Sequence, residues 1–136
     1  MYKRMLALFT ILVISVVGFS SVASAAEITP YWLYTNTYSS ELSISGTTAT
    51  CTSKVTGYSG ITTKIVITQT LQKKNSSGKW EKVTSWETTV NSFKASVTNY
   101  AYNLSKGTYR LKSVFKVYSG SDYETITKYS SEKTVK

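Results

Sequence analysis

The chain has 136 residues, with 16 lysines and arginines against seven acids, no histidine and one cysteine. Without histidine there is no Ser-His or Cys-His nucleophile pair, no histidine-ligated zinc and little proton shuttling near neutral pH. With one cysteine there is no internal disulfide framework.

Lys3 and Arg4 precede an almost unbroken apolar run from Met5 to Phe19, and Ala23-Ser24-Ala25 follows. A positive start, an apolar core shorter than about 20 residues and an A-x-A site are the parts of a secretory signal peptide. The expected organisation is a signal-peptide helix over 1–25, cleaved near Ala25 or Ala26, and one domain over 26–136. An uncleaved membrane anchor is the alternative. No cysteine follows the apolar run to take a lipid, and Ser130–Lys136 carries no wall-sorting motif or hydrophobic anchor. The expected location is therefore secreted and extracellular, with no membrane contact after cleavage.

Loss of Lys3 and Arg4 leaves a domain of about +7. Such a domain will gather near anionic material such as wall polymer or acidic polysaccharide. Arg110 is its only arginine, which argues against specific nucleic-acid recognition, where bidentate arginine contacts dominate. Lysines at alternate strand positions also fit a plain solvated face, or a guard against edge-to-edge aggregation.

Beyond Ala26 the chain reads as short β-runs rich in Thr, Ser, Tyr, Val and Ile, with Pro30 its only proline. Tyr31–Tyr38 is an edge strand or an ordered arm. Leu42 and Ile44 alternate with polar residues up to a turn at Gly46. Ala49, Cys51 and Val55 share a strand face, which makes Cys51 a small core residue; the alternative is a reactive or intermolecular thiol. Gly57-Tyr58-Ser59-Gly60 ends that strand and falls one residue short of a nucleophile elbow. Ile65, Ile67 and Leu71 define the strongest strand, interrupted by Gln69. Asn75-Ser76-Ser77-Gly78 is a hairpin turn. Trp80–Trp86, then Phe93, Ala95 and Val97, continue the pattern. Leu104-Ser105-Lys106-Gly107-Thr108-Tyr109-Arg110-Leu111 has the L-x-x-G-x-Y-x-L spacing of a tyrosine corner, with Leu104 and Leu111 entering the core. An ordinary hairpin whose strand begins with Tyr is the alternative. Leu111, Phe115 and Val117 share a face, Ser119–Asp122 turns, and Tyr123–Tyr129 is the last strand. The expected fold is all-β: an antiparallel two-sheet immunoglobulin-like sandwich of 7–8 strands, with a small closed barrel as the main alternative.

No catalytic constellation emerges. Ser-x-x-Lys at Ser76/Lys79, Ser113/Lys116 and Ser130/Lys133 is chance in a Ser- and Lys-rich chain. Glu27, Glu41, Glu81, Glu87, Asp122, Glu124 and Glu132 sit at polar positions, so a carboxylate-pair hydrolase is a remote reading. Asp122 and Glu124 alone do not make a calcium loop. No metal, cofactor or enzymatic activity is expected. Trp80 and Trp86 lie an even number of residues apart, so a regular strand puts both on one face. If outward, they form with Tyr58, Tyr100 and Tyr102 a platform suited to sugar rings or peptide. A sandwich also needs a large core aromatic, so one of the two tryptophans is expected inside.

The segments Ile28–Trp32, Gly46–Cys51, Val55–Gly57, Leu71–Lys74, Lys106–Leu111 and Glu124–Thr127 together resemble a family of small secreted proteins of Gram-positive, often gut-associated, bacteria, a domain of unknown function. The resemblance implies export and a single β domain, and brings no activity or functional residues with it. The expected function is a non-catalytic binding or structural module, meeting wall polymer, glycan or a surface protein. The alternative is a secreted antibacterial antagonist.

Overall fold

A computed structural model describes residues 31–136. The expected signal peptide, its cleavage site and Glu27 lie outside the described residues. Eight strands follow a short arm: β1 Thr35–Ser45, β2 Thr48–Gly57, β3 Lys64–Lys74, β4 Trp80–Val90, β5 Lys94–Ala101, β6 Gly107–Ser119, β7 Asp122–Tyr129 and β8 Lys133–Val135. They form two antiparallel sheets, β1-β2-β5 and β4-β3-β6-β7, with β8 pairing the start of β6. This is the all-β, immunoglobulin-like sandwich that the alternating runs predict. β5 leaves the β4 edge and returns to the first sheet beside β2, the Greek-key crossing that keeps the two layers distinct.

Local chemistry explains the turns. In the β3–β4 hairpin the Asn75 side-chain oxygen accepts the N–H groups of Ser77 and Lys79, both at 2.9 Å, and Gly78 takes the left-handed conformation at φ 79°. At the end of β2, Gly57 leaves room for a crossing of three segments. A Cβ there would collide with the Thr62 hydroxyl, which itself accepts the Tyr58 N–H and donates to the Tyr34 carbonyl. Tyr31–Tyr34 is the arm, and β1 begins after it. Glu124 of β7 holds the junction by accepting from Leu33 N–H (3.0 Å), Tyr34 N–H (2.7 Å) and the Thr35 hydroxyl (2.9 Å).

The tyrosine corner is present. Tyr109 is 1% exposed, and its hydroxyl donates to the Ser105 carbonyl at 2.5 Å. That bond ties the β5–β6 connection to the start of β6 and satisfies a phenol that would otherwise be stranded in the core. Tyr109→Phe keeps the ring and removes the bond, so it should lower unfolding free energy by about 1–2 kcal/mol in urea titrations.

The core has two apolar halves. Leu42, Ala49, Cys51, Leu71, Leu104, Tyr109, Leu111 and Val135 fill one, with Trp86 packed against it. Val55, Ile65, Ile67, Phe115, Val117 and Ile126 fill the other, with Trp32, Tyr34 and Tyr38 at its margin. Between them lies a polar layer to which five strands each contribute one inward residue. Ser40 meets Ser113 at 2.7 Å, Ser113 meets Ser53 at 2.6 Å, and Gln69 donates to Ser53 at 2.8 Å. Asn99 closes the layer by donating to Gln69 Oε1 at 2.7 Å. The Gln69 that interrupts the β3 apolar pattern is thus 1% exposed and fully engaged.

Cys51 is buried in the first apolar half, and burial pushes its thiol from 9.0 up to about 11. A raised folded-state value leaves stability untouched below pH 9.0 and erodes it as pH rises from there towards about 11. An aromatic disulfide reagent at pH 8 should leave the native thiol unmodified and titrate one thiol per chain after unfolding in urea.

Candidate ligand-binding surfaces

The aromatic residues singled out in the sequence fall in three places. β4 is not regular: Leu71 pairs Thr84 while Gln72 pairs Lys82, so Val83 is an extra residue in a β-bulge. The slip reverses the face of everything before it. Trp86, opposite inward Gln69, packs on the core, whereas Trp80, opposite Lys74, stands on the outer face. The even spacing therefore does not put the two tryptophans together; Trp86 is half-buried against the core, and the large aromatics fully inside are Tyr109 and Phe115 rather than a tryptophan. Val83 itself is 43% exposed.

Trp86 does meet two of the tyrosines. Val83, Thr84, Trp86, Tyr100, Ala101, Tyr102 and Leu104 line an open groove of about 300 Å³ at the β4–β5 edge. Tyr100 and Tyr102 stack there with centroids 6.3 Å apart and planes 23° apart, and both rings are more than half exposed. Tyr58 follows the far end of β2, while Tyr100 pairs Thr50 near the start of that strand. Seven residues of strand, about 23 Å, separate those levels, so Tyr58 is not part of this groove.

Trp80 belongs to a different surface, the outer face of the five-stranded sheet. Register and alternation bring six cations onto it: Lys64 and Lys74 from β3, Lys82 from β4, and Arg110, Lys112 and Lys116 from β6. Glu87 is the one carboxylate on the strands of this face, and Glu132, just past β7, lies 3.8 Å from Lys74 Nζ. The outer face of the other sheet has only Lys54 and Lys94, with Glu41, among threonines and serines. Of the cations that stand on the outer faces of the two sheets, six of eight are therefore on this one, while the remaining lysines lie in turns, at strand ends and on the inward side of the edges. Four of the six cations sit over aromatic rings: Lys64 on Tyr118 (4.1 Å to the ring centroid), Lys116 on Tyr123 (5.3 Å), Lys74 on Trp80 (5.4 Å), and Arg110 on Trp80 and Tyr129 (4.3 and 4.2 Å). Those rings fix where the charges stand and cover the lysine stems, while Thr68, Thr70, Ser85, Thr125 and Thr127 supply hydroxyls between them.

The carboxylates are dispersed. Glu124 is occupied by the arm, Glu81 accepts from Asn75 at 3.0 Å, and Glu41 and Glu87 stand on outer faces of different sheets. Among the described residues no three acids or cysteines cluster as a metal site would require.

Fold and surfaces together describe a β-sandwich with a charged sheet face and an open aromatic groove. No protein-family model matches the chain, and no curated protein does.

Proposed function

We propose that this is a secreted, non-catalytic binding module that engages an anionic wall polymer through the outer face of its five-stranded sheet. One observation carries the reading: six cations share that face with a single strand carboxylate, while the opposite sheet has two cations to one. Solubility alone asks for charges of both signs spread over all faces; a one-signed layer creates a field that attracts and aligns a polyanion. The signal-peptide pattern, and the resemblance to small secreted proteins, put such a polymer within reach. Lysine predominates, which suits repeated single charges along a chain better than base reading.

The domain should be retained on purified Gram-positive cell walls at low salt and released at about 1 M salt, where the Debye length falls to about 3 Å. No retention, or retention indifferent to salt, would contradict the reading. A second reading comes from the groove of Trp86, Tyr100 and Tyr102, whose exposed stacked rings suit a pyranose face. Release of wall-bound protein by neutral oligosaccharide, with salt without effect, would favour it over the charged face.

A further inference from the structure

We infer that Arg110 is the specific contact on this face, a guanidinium held ready to take the two oxygens of a phosphodiester; this deepens the wall-polymer reading and rests on it. Three strands converge on the group that β6 carries. Trp80 of β4 covers one side of the guanidinium and Tyr129 of β7 lies 4.2 Å from its central carbon. Gln72 of β3 accepts the Nε–H at 2.8 Å, which fixes rotation about the remaining axis.

Those contacts use the faces and the inner edge of the group and leave its outer fork. Among the described residues neither Nη nitrogen has a hydrogen-bond partner, and the neighbours are cations: Lys112 is the next outward residue on β6, Lys82 pairs Gln72, and Lys74 pairs Trp80. The one carboxylate close by, Glu132, is bridged to Lys74. Here the guanidinium of a half-buried arginine rests against two rings, is fixed through Nε, and is set among three further positive charges. An arriving oxyanion meets two parallel N–H donors whose ordering cost, about 2 kcal/mol for a free arginine side chain, is already largely met by the fold.

The repeat along β6 narrows the ligand. Outward side chains on one strand recur about every 6.7 Å, so Arg110 and Lys112 stand one such step apart, and Lys116 stands two steps further on, past the outward Val114. The single step matches the extended length of a short polyol phosphate unit, so two successive phosphodiesters of one chain would fall on Arg110 and Lys112, the next would pass Val114, and the one after it would reach Lys116. The serine and threonine hydroxyls beside the row face the polyol oxygens.

The test is calorimetric titration of the domain with polyglycerol phosphate, with hyaluronate as the carboxylate polymer. Wild type should bind polyglycerol phosphate more tightly, and Arg110→Lys, which keeps the charge and loses the fork, should weaken that binding about tenfold. Tyr129→Leu, a substitution on an edge strand that leaves the charge in place, should weaken it by a smaller factor. Unchanged affinity in either variant overturns the role of the clamp. Tighter binding of hyaluronate overturns the phosphodiester assignment while the wall-polymer reading stands. Binding of neither polymer, with no retention on walls, overturns both.

Discussion

Gln69→Leu should cost about 3 kcal/mol of unfolding free energy, the largest loss expected from any single near-isosteric change in this chain. Gln69 is the hub of the polar layer. Its amide donates to the Ser53 hydroxyl and the Cys51 carbonyl, and its carbonyl accepts from Asn99. Leucine fits the volume but strands the Asn99 donor and breaks the chain that runs through Ser53 and Ser113 to Ser40. Replacing all five members together by apolar residues should cost much less than the sum of the single losses, because a group with no partner is worse than no group. The layer supplies register rather than strength. Each of β1, β2, β3, β5 and β6 has a long alternating pattern that a slip of two residues would satisfy almost as well. One polar residue per strand, four of them level and Asn99 one inward step away opposite Cys51, makes such a slip bury unpaired oxygens and nitrogens. Equilibrium urea titrations of the single and combined variants measure both halves of this expectation.

The second large effect concerns binding. Lys112→Glu with Lys116→Glu changes the net charge by four units in the middle of the cationic face. Lys54→Glu with Lys94→Glu changes it by the same amount on the outer face of the other sheet. If the five-stranded face is the contact, the first pair should weaken affinity for wall polymer about a hundredfold, as removal of two close charge contacts and their replacement by repulsion implies. The second pair should change it only a few-fold through the general field. Equal losses would mean that net charge alone governs retention. All four positions are outward on their strands, so thermal unfolding should show near-native stability for both variants.

Much of the fold could be read from residues alone, because its signals are local. Asn75-Ser76-Ser77-Gly78 announces its turn by chemistry within four residues. The L-x-x-G-x-Y-x-L run at Leu104–Leu111 contains both ends of the tyrosine-corner bond, Ser105 and Tyr109. The β3 and β6 alternations needed only a period of two. What escaped was set by register between distant segments. Nothing in Lys82-Val83-Thr84 marks a bulge, since it has no glycine and no turn residue, yet that one extra residue decides which tryptophan faces the core. Gln69 read as an interruption, because its partners Ser53 and Asn99 lie 16 and 30 residues away. The strand positions of the lysines were visible, but not that three strands present them on one side. In the sequence Arg110 stands out only as a single arginine among lysines; its clamp is assembled from residues on three other strands.

The central claim is that the outer face of the five-stranded sheet holds a polyanion through its cations. It is tested most directly by the salt dependence of wall-polymer affinity between about 50 and about 200 mM. With six cations engaged, the logarithm of the association constant should fall against the logarithm of salt with a slope of about −4, taking the flexible-strand coefficient per contact. In the Lys112→Glu/Lys116→Glu variant the slope should be far shallower, and in Lys54→Glu/Lys94→Glu it should stay near the wild-type value. A flat wild-type line, or a slope that the first pair leaves unchanged, would contradict the account.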